Sequence, residues 1–435
     1  MKKFVASVGL VAVGASGLQA ALLPGLTAES GKPFTLSGTL RGFYDSNPST
    51  LPNSANPQGS FGFEISPAIE FLFPMEQTTL SFGFIYDYKW YQHELVNSTG
   101  HGQNTYDFHA ALTHAFSERY SLSVKDSFVI GQQPDFLRSG DSFTTFQSYS
   151  GNNIRNYGVI DFSAQLTPQF GLESGYANTL VSFADDTWST NPNGSVNPSN
   201  KGILDSIDNV IHLDGRYQLQ PQTIGIVGFQ FRATEYTGDQ PIGVYNTGQY
   251  AMSDSRNALS YYGYLGADHN FRPDLTGSVR AGGRYTDYYN TPVDQNQASP
   301  YAMVSLRYTY LPESSIQFGG SYDYIPSSLA GSVDQANNEI NTSAQAGTVF
   351  LAVSHRIMPK LYGGIQAQYQ NSTFYGGTVN GQAENFYLVG LNLRYQFTPN
   401  FSTEIGYNYD NLQSNVPAQG SYDRNRVYIG LTGSY

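Results

Sequence analysis

The sequence predicts an all-β fold, a transmembrane antiparallel up-and-down β-barrel of about 18 strands, with about 16 as the alternative count. Three observations predict it. Aromatic residues make up 14% of the 435 residues and charged residues only 13%, roughly half the charged share of a soluble domain. Mean hydropathy is nevertheless negative, at -0.35, because Ser, Thr, Asn and Gln take the place of charge. Apolar and polar residues also alternate with period two, in stretches longer than the strands of soluble sheets.

The composition excludes other classes. After the N-terminal segment no apolar run reaches the roughly 18 residues of a membrane helix. A disordered chain would carry more charge and fewer rings. The absence of cysteine removes disulfide-stapled domains and thiolate metal sites. Lys and Arg number 22 against 34 Asp and Glu, a balance that argues against nucleic acid as a partner.

Residues 1–20 read as a secretory signal peptide. Lys2 and Lys3 precede an apolar stretch from Phe4 to Leu18, and Gln19-Ala20-Ala21 offers a small-residue exit, the three parts such a leader needs. Residues 21–33 are then a short periplasmic segment, and 34–435 the barrel. Export without disulfides points to a bacterial envelope.

The alternation defines two faces. Leu80, Phe82, Phe84, Tyr86, Tyr88 and Trp90 share one, and Thr79, Ser81, Gly83, Asp87 and Lys89 the other. The pattern returns over Val304–Tyr310 and Tyr387–Phe397. Short turns punctuate it in a repeated form, an apolar residue followed at once or one residue later by proline: Phe73-Pro74, Leu166-Thr167-Pro168, Leu219-Gln220-Pro221, Phe271-Arg272-Pro273, Leu311-Pro312, Ile357-Met358-Pro359 and Phe397-Thr398-Pro399. Phe116-Ser117-Glu118-Arg119 serves as an eighth turn without proline. Proline pre-sets φ there and costs no ladder bond. Eight turns with a strand at each end, Phe34–Tyr44 and Asp423–Tyr435, give 18 strands. Nine longer connections, rich in Gly, Asn, Ser, Asp and Pro, fall on the opposite side, as exposed loops do.

Alternation alone also suits a soluble sandwich, β-helix or propeller. The strand length, the rings gathered at the ends of the apolar face, and the short-turn/long-loop asymmetry favour a membrane barrel, with periplasmic turns and extracellular loops. In lipid every backbone polar group needs a partner, so the sheet must close.

On the leader, the hairpin repeat and the final strand Val427-Tyr428-Ile429-Gly430-Leu431-Thr432-Gly433-Ser434-Tyr435, the chain resembles the outer-membrane β-barrel proteins of Gram-negative bacteria, closest to the group of putative β-barrel porins. The resemblance covers about residues 34–435. It implies a porin-like channel for passive diffusion of small polar solutes or ions, contact with outer-membrane lipid, and recognition of Ile429, Leu431 and Tyr435 by the barrel-assembly machinery. An oligomer is open by the same analogy. A plug of the active-transporter kind is not expected, since only residues 21–33 separate the leader from the first strand.

The polar faces give a charge map for the lumen. Early strands supply Glu64, Glu70, Asp87, Asp107, Asp161 and Glu173. Later strands supply Arg216, Arg232, Arg280, Arg284, Arg307, Arg356 and Arg394, with Arg424, Arg426 and Arg41 at the closure. Two arrangements follow: a transverse field across the pore, or scattered charges paired between strands. The loop Gln132–Asn153, with Asp135, Arg138 and Asp141, is a candidate constriction, because third loops often fold inward in the porins it resembles. Asp126 conflicts with the pattern. Strict alternation from Tyr120 aims it at lipid, so a bulge or a strand offset is expected there.

Enzyme chemistry has little support. The seven histidines form no spaced metal pair, and no nucleophile elbow or phosphate loop is present. No cofactor is expected. An outer-membrane hydrolase is the minor alternative, and a structural, adhesion or polysaccharide-export barrel the main one. N-terminal sequencing of protein extracted from outer membranes is expected to return Ala21, and a sequence still starting at Met1 would overturn the leader.

Overall fold

The structure is a computed structural model and describes residues 33–95, 100–132, 151–327, 329, 332–416 and 420–435. The expected leader lies outside the described residues, as does all of the 21–33 segment except Pro33.

The strands are Phe34–Asp45, Ser60–Pro74, Thr78–Tyr91, Gly102–Ala115, Tyr120–Gly131, Asn153–Gln165, Phe170–Phe183, Ser206–Gln220, Thr223–Tyr236, Ala258–Arg272, Leu275–Asp287, Gln297–Leu311, Ser314–Pro326, Ser343–Met358, Leu361–Tyr375, Ala383–Thr398, Phe401–Ser414 and Tyr422–Ser434. Each pairs antiparallel with the next, and the last returns to the first through Leu40 opposite Leu431. The result is one closed sheet of 18 strands, not 16. The first strand runs one residue beyond Tyr44, and the last begins one residue before Asp423.

All eight expected turns lie between consecutive strands. The five tightest, opening with Pro221, Pro273, Pro312, Pro359 and Pro399, each carry a register shift just inside the hairpin. A bulge there adds the local twist that lets a tight Pro-led turn join two strands. The opposite ends are joined by long connections with small hairpins of their own, such as Pro241–Val244 with Tyr250–Met252.

The two faces of the alternation separate as expected. In the last strand Val427, Ile429 and Leu431 are exposed on the outer surface, while Arg424, Arg426 and Tyr428 are each 1% exposed on the inner one. Outward rings are anchored at both rims. At the long-loop end, tyrosine hydroxyls donate to asparagine side chains across the hairpin: Tyr86 to Asn104, Tyr176 to Asn209, Tyr369 to Asn385 and Tyr407 to Asn425, at 2.7–2.8 Å. At the short-turn end, Thr78 meets His114 and Thr223 meets His269 at 2.7 and 2.8 Å. A ring with one wet edge suits the headgroup level.

Asp126 corrects the expectation at the fifth strand. The pairing runs without a register shift from Tyr120 opposite Ala164 to Gly131 opposite Asn153. There is neither bulge nor offset. Asp126 stays on the outer face between Ala110 and Gly158, and Asn156 donates to both of its carboxylate oxygens at 3.0 and 3.2 Å. The asparagine supplies the partner that a register change would have made unnecessary. Asp126→Leu is expected to raise the temperature at which the folded barrel denatures in detergent, since it removes a polar group from the lipid face. An unchanged or lowered midpoint would count against that placement.

Candidate functional site

Strand alternation turns every second side chain inward, and there the acids and arginines meet. Arg41 donates to Glu64 at 2.8 Å, with Lys89 at 3.8 Å from the same carboxylate and the Tyr428 ring 5.4 Å from the guanidinium. Glu70 lies 2.9 Å from His109, whose other ring nitrogen is 3.6 Å from Asp107. Asp161 is 4.0 Å from His212. Arg216 bridges Glu173 and Asp268, both at 2.8 Å, and Arg280 reaches the same Asp268 at 2.8 Å. Arg232 is paired with Asp208 and Arg284 with Asp323. Arg356 bonds Glu313 at 2.9 Å. At the closure Arg424 pairs with Asp45 and Arg426 with Asp410. Asp87 stands opposite Thr105 in register.

Eight of the ten named arginines thus have a carboxylate on a nearby strand or turn. A field set up across the lumen needs charges separated by its width. These are separated by a hydrogen bond. The paired arrangement is the one the geometry carries. Arg394 and Arg307 differ, with no ion pair among the described residues. Arg394 lies over the Tyr362 ring at 5.5 Å, and Arg307 is exposed, opposite Thr276 and Gln317.

Sequence reading passed over Asp45 and Asp410, though Asp45 shares strand and parity with Arg41, which it named. It also passed over Arg256, and here no signal was available. Arg256 is 1% exposed in the connection after the ninth strand, lies 3.8 Å over the Tyr236 ring, and donates to the carbonyls of Ser327, Gly202 and Ile203. It therefore ties three long connections together through backbone atoms far away in sequence. Ile242, Tyr245, Ala251 and Ile340 form an apolar core between two of the same loops. The candidate constriction residues Asp135, Arg138 and Asp141 lie outside the described residues.

Among the described residues the histidines contact carboxylates, hydroxyls and rings of the wall and its rims. Asp214, two residues from His212, accepts instead from the Tyr264 hydroxyl at 2.6 Å. His114 and His269 pack edge-on against Phe116 and Phe271, at 4.5 Å in both cases, as members of the aromatic rim. No group of three His, Cys, Asp or Glu suited to a metal ion occurs among the described residues.

Residues 333–435 match the model of the family described as "Putative beta-barrel porin 2". That stretch resembles the porin family, and the chain as a whole folds as a closed 18-stranded antiparallel β-barrel. The match takes in the last five barrel strands and so one side of the closing seam. No curated protein matches the sequence. Among solved structures, a BenF-like porin from Pseudomonas fluorescens Pf-5 is similar at 11% identity and TM-score 0.48, covering 93% of this chain and 99% of that one. OpdK from Pseudomonas aeruginosa is similar at 12% identity and TM-score 0.45, covering 92% and 99%. OccAB4 from Acinetobacter baumannii is similar at 12% identity and TM-score 0.44, covering 93% and 99%.

The Arg424–Asp45 pair joins the two chain ends across the closing seam, with side chains only 1% and 2% exposed. Arg424→Ala is expected to cost roughly 3–5 kcal/mol by leaving a buried carboxylate uncompensated, read as a lowered urea midpoint for the barrel in lipid vesicles. The double variant Arg424→Met/Asp45→Leu is expected to recover most of that loss. A double variant as unstable as the single one would show that the pair itself, and not the orphaned charge, matters.

Proposed function

We propose that this protein is a passive diffusion channel of the outer membrane for small polar solutes or ions. The observation that carries the reading is the inward face, where charged and hydroxylated side chains line a closed wall whose outer surface is apolar. An interior packed for stability alone would be served by aliphatic residues at these positions, at no desolvation cost to arginine. Eighteen strands enclose a lumen wide enough for water.

In this reading residues 1–20 are removed on export, the short turns face the periplasm, and the final strand with Ile429, Leu431 and Tyr435 is presented to the barrel-assembly machinery. The three outer positions are exposed, and Tyr435 exchanges backbone bonds with Leu36 at 2.8 and 3.0 Å, so the same strand both signals and closes. The named arginines and acids line the pore as ion pairs. Among the named arginines of the described residues, Arg307 and Arg394 are left to attract anions, because a guanidinium already holding a carboxylate offers little field to a passing ion. The loop core around Ile340 and the Arg256 tie favour a restricted outer mouth over an open one. The wall chemistry favours a channel over a hydrolase, since His212 faces Asp161 without a nucleophile between them.

Reconstituted in a planar bilayer, the protein is expected to give stepwise ohmic currents. A silent bilayer would favour the structural or export reading. Arg307→Gln is expected to shift the reversal potential in a salt gradient towards cation preference, and Arg280→Gln, which removes the same single charge, to shift it less. Equal shifts would sink the distinction between paired and unpaired lining arginines.

A further inference from the structure

One seam of the barrel stops short of its end. The twelfth strand, Gln297–Leu311, and the thirteenth, Ser314–Pro326, pair from the turn only as far as Ala302 opposite Tyr322. The next four positions of that register, from Tyr301 with Asp323 to Ala298 with Pro326, form no pair. They leave a fork of about 13 Å along the strands. At this end every other barrel ladder runs to within one residue of the end of the shorter strand. Two prolines account for the fork. Pro300 has no N–H to give Tyr324, and Pro326 has none to give Ala298. Side chains stand in for the ladder: the Tyr324 carbonyl accepts from Arg284 at 2.7 Å, and the Tyr324 N–H donates to the Asp323 carboxylate at 2.8 Å.

The fork divides the later long connections into two groups. Those at 184–205, 237–257 and 288–296 join strands up to the twelfth, and those at 327–342 and 376–382 join strands from the thirteenth onward. Within each group, backbone bonds tie neighbours together, as from Thr237 to Asp205 at 3.0 Å and from Thr342 to Tyr375 at 3.2 Å. Across the fork, among the described residues, there is no ladder and no loop bond between backbone atoms. The bonds that cross it use side chains. Arg256 donates to the Ser327 carbonyl at 3.1 Å. Gln295 grips Ile340, donating to its carbonyl at 2.9 Å and accepting from its N–H at 3.2 Å. Asn338 accepts from the Asn246 N–H at 3.0 Å.

An apolar contact completes this clasp. The hairpin of Pro241–Val244 with Tyr250–Met252 belongs to one group, and that of Val333–Asp334 with Glu339–Ile340 to the other. Between them Ile242, Tyr245, Ala251 and Ile340 are buried, with Val333 packed alongside. The second hairpin has only two paired positions, too few to stand without a partner surface.

We propose that this clasp is a gate of the outer mouth. Joined, as in this structure, it keeps the mouth narrow. Released, it lets the two groups of connections part at the fork and widens the mouth. A continuous ladder would oppose such parting cooperatively, whereas side-chain bonds and one small apolar contact can give way together. The wall below Ala302 and Tyr322 stays paired throughout. The proposal rests on the diffusion reading of the channel.

The chain contains no cysteine, and a Cβ added at Gly243 would lie 3.5 Å from that of Val333, within the span of a disulfide. Gly243→Cys with Val333→Cys therefore locks the clasp on oxidation. In a planar bilayer the reduced full-length protein is expected to step between a lower and a higher conductance, and the oxidised protein to stay at the lower. Dithiothreitol is expected to restore the stepping. Gln295→Ala, which removes two clasp bonds and adds no cross-link, is expected to raise occupancy of the higher level several-fold. Identical levels and dwell times in the oxidised and reduced channels overturn the gate. A bilayer silent in both states counts against the diffusion reading instead, and hydrogen exchange in nanodiscs then decides about the clasp. The Tyr324 amide lies at the fork, outside both hairpins that carry the cysteines, and is expected to exchange about tenfold more slowly in the oxidised protein. Equal exchange rates there overturn the motion.

Discussion

In hydrocarbon an unpaired backbone N–H or C=O has no water to turn to, and each costs several kcal/mol. Most of this architecture answers that one constraint. It forces the sheet to close, which brings the first strand beside the last and makes Asp45 a neighbour of Arg424. It places most strand-end prolines at the short turns, where no ladder bond is lost. Prolines also intrude on ladders, at Pro67 in the second strand and at Pro300 and Pro326 between Gln297–Leu311 and Ser314–Pro326, and at the last two the Arg284 guanidinium does for the Tyr324 carbonyl what a strand would otherwise do. Asp126 follows the same logic in reverse: the ladder there is intact, so the polar group at fault is a side chain, and Asn156 answers it.

The inner wall obeys a second balance. Arginines taken partly out of water are costly unless paired, and in a barrel the nearest partner is one or two strands away at the same height. Local pairing therefore wins over a field spread across the lumen. In the proposed channel, selectivity falls to the few cations that escape pairing, and the outer mouth to loops held together by Arg256 and the Ile340 core.

The fold was almost wholly legible. Period-two alternation and the apolar–proline turns located every barrel strand, because both are local: side-chain direction follows backbone parity, and a Pro-led turn needs no distant contact. The wall residues were legible as to face and not as to partner. Parity puts Arg216 and Glu173 on one surface, but only register makes them neighbours at 2.8 Å. Asp126 misled because alternation was doubted where it held, and a hydrogen bond from the adjacent strand was not considered. Arg256 could not be found, since it recognises carbonyl oxygens, which every residue has.

What the sequence alone determined is the class, the strand count and the face of each side chain, since these depend on neighbours within a few residues. What only the tertiary structure decided is which charges neutralise one another, which loops close over the mouth, and where the wall fails to zip. Those depend on register between strands and on contacts between residues tens to hundreds of positions apart. Hydrophobic pattern does not encode them, because any carboxylate of the right parity satisfies it equally.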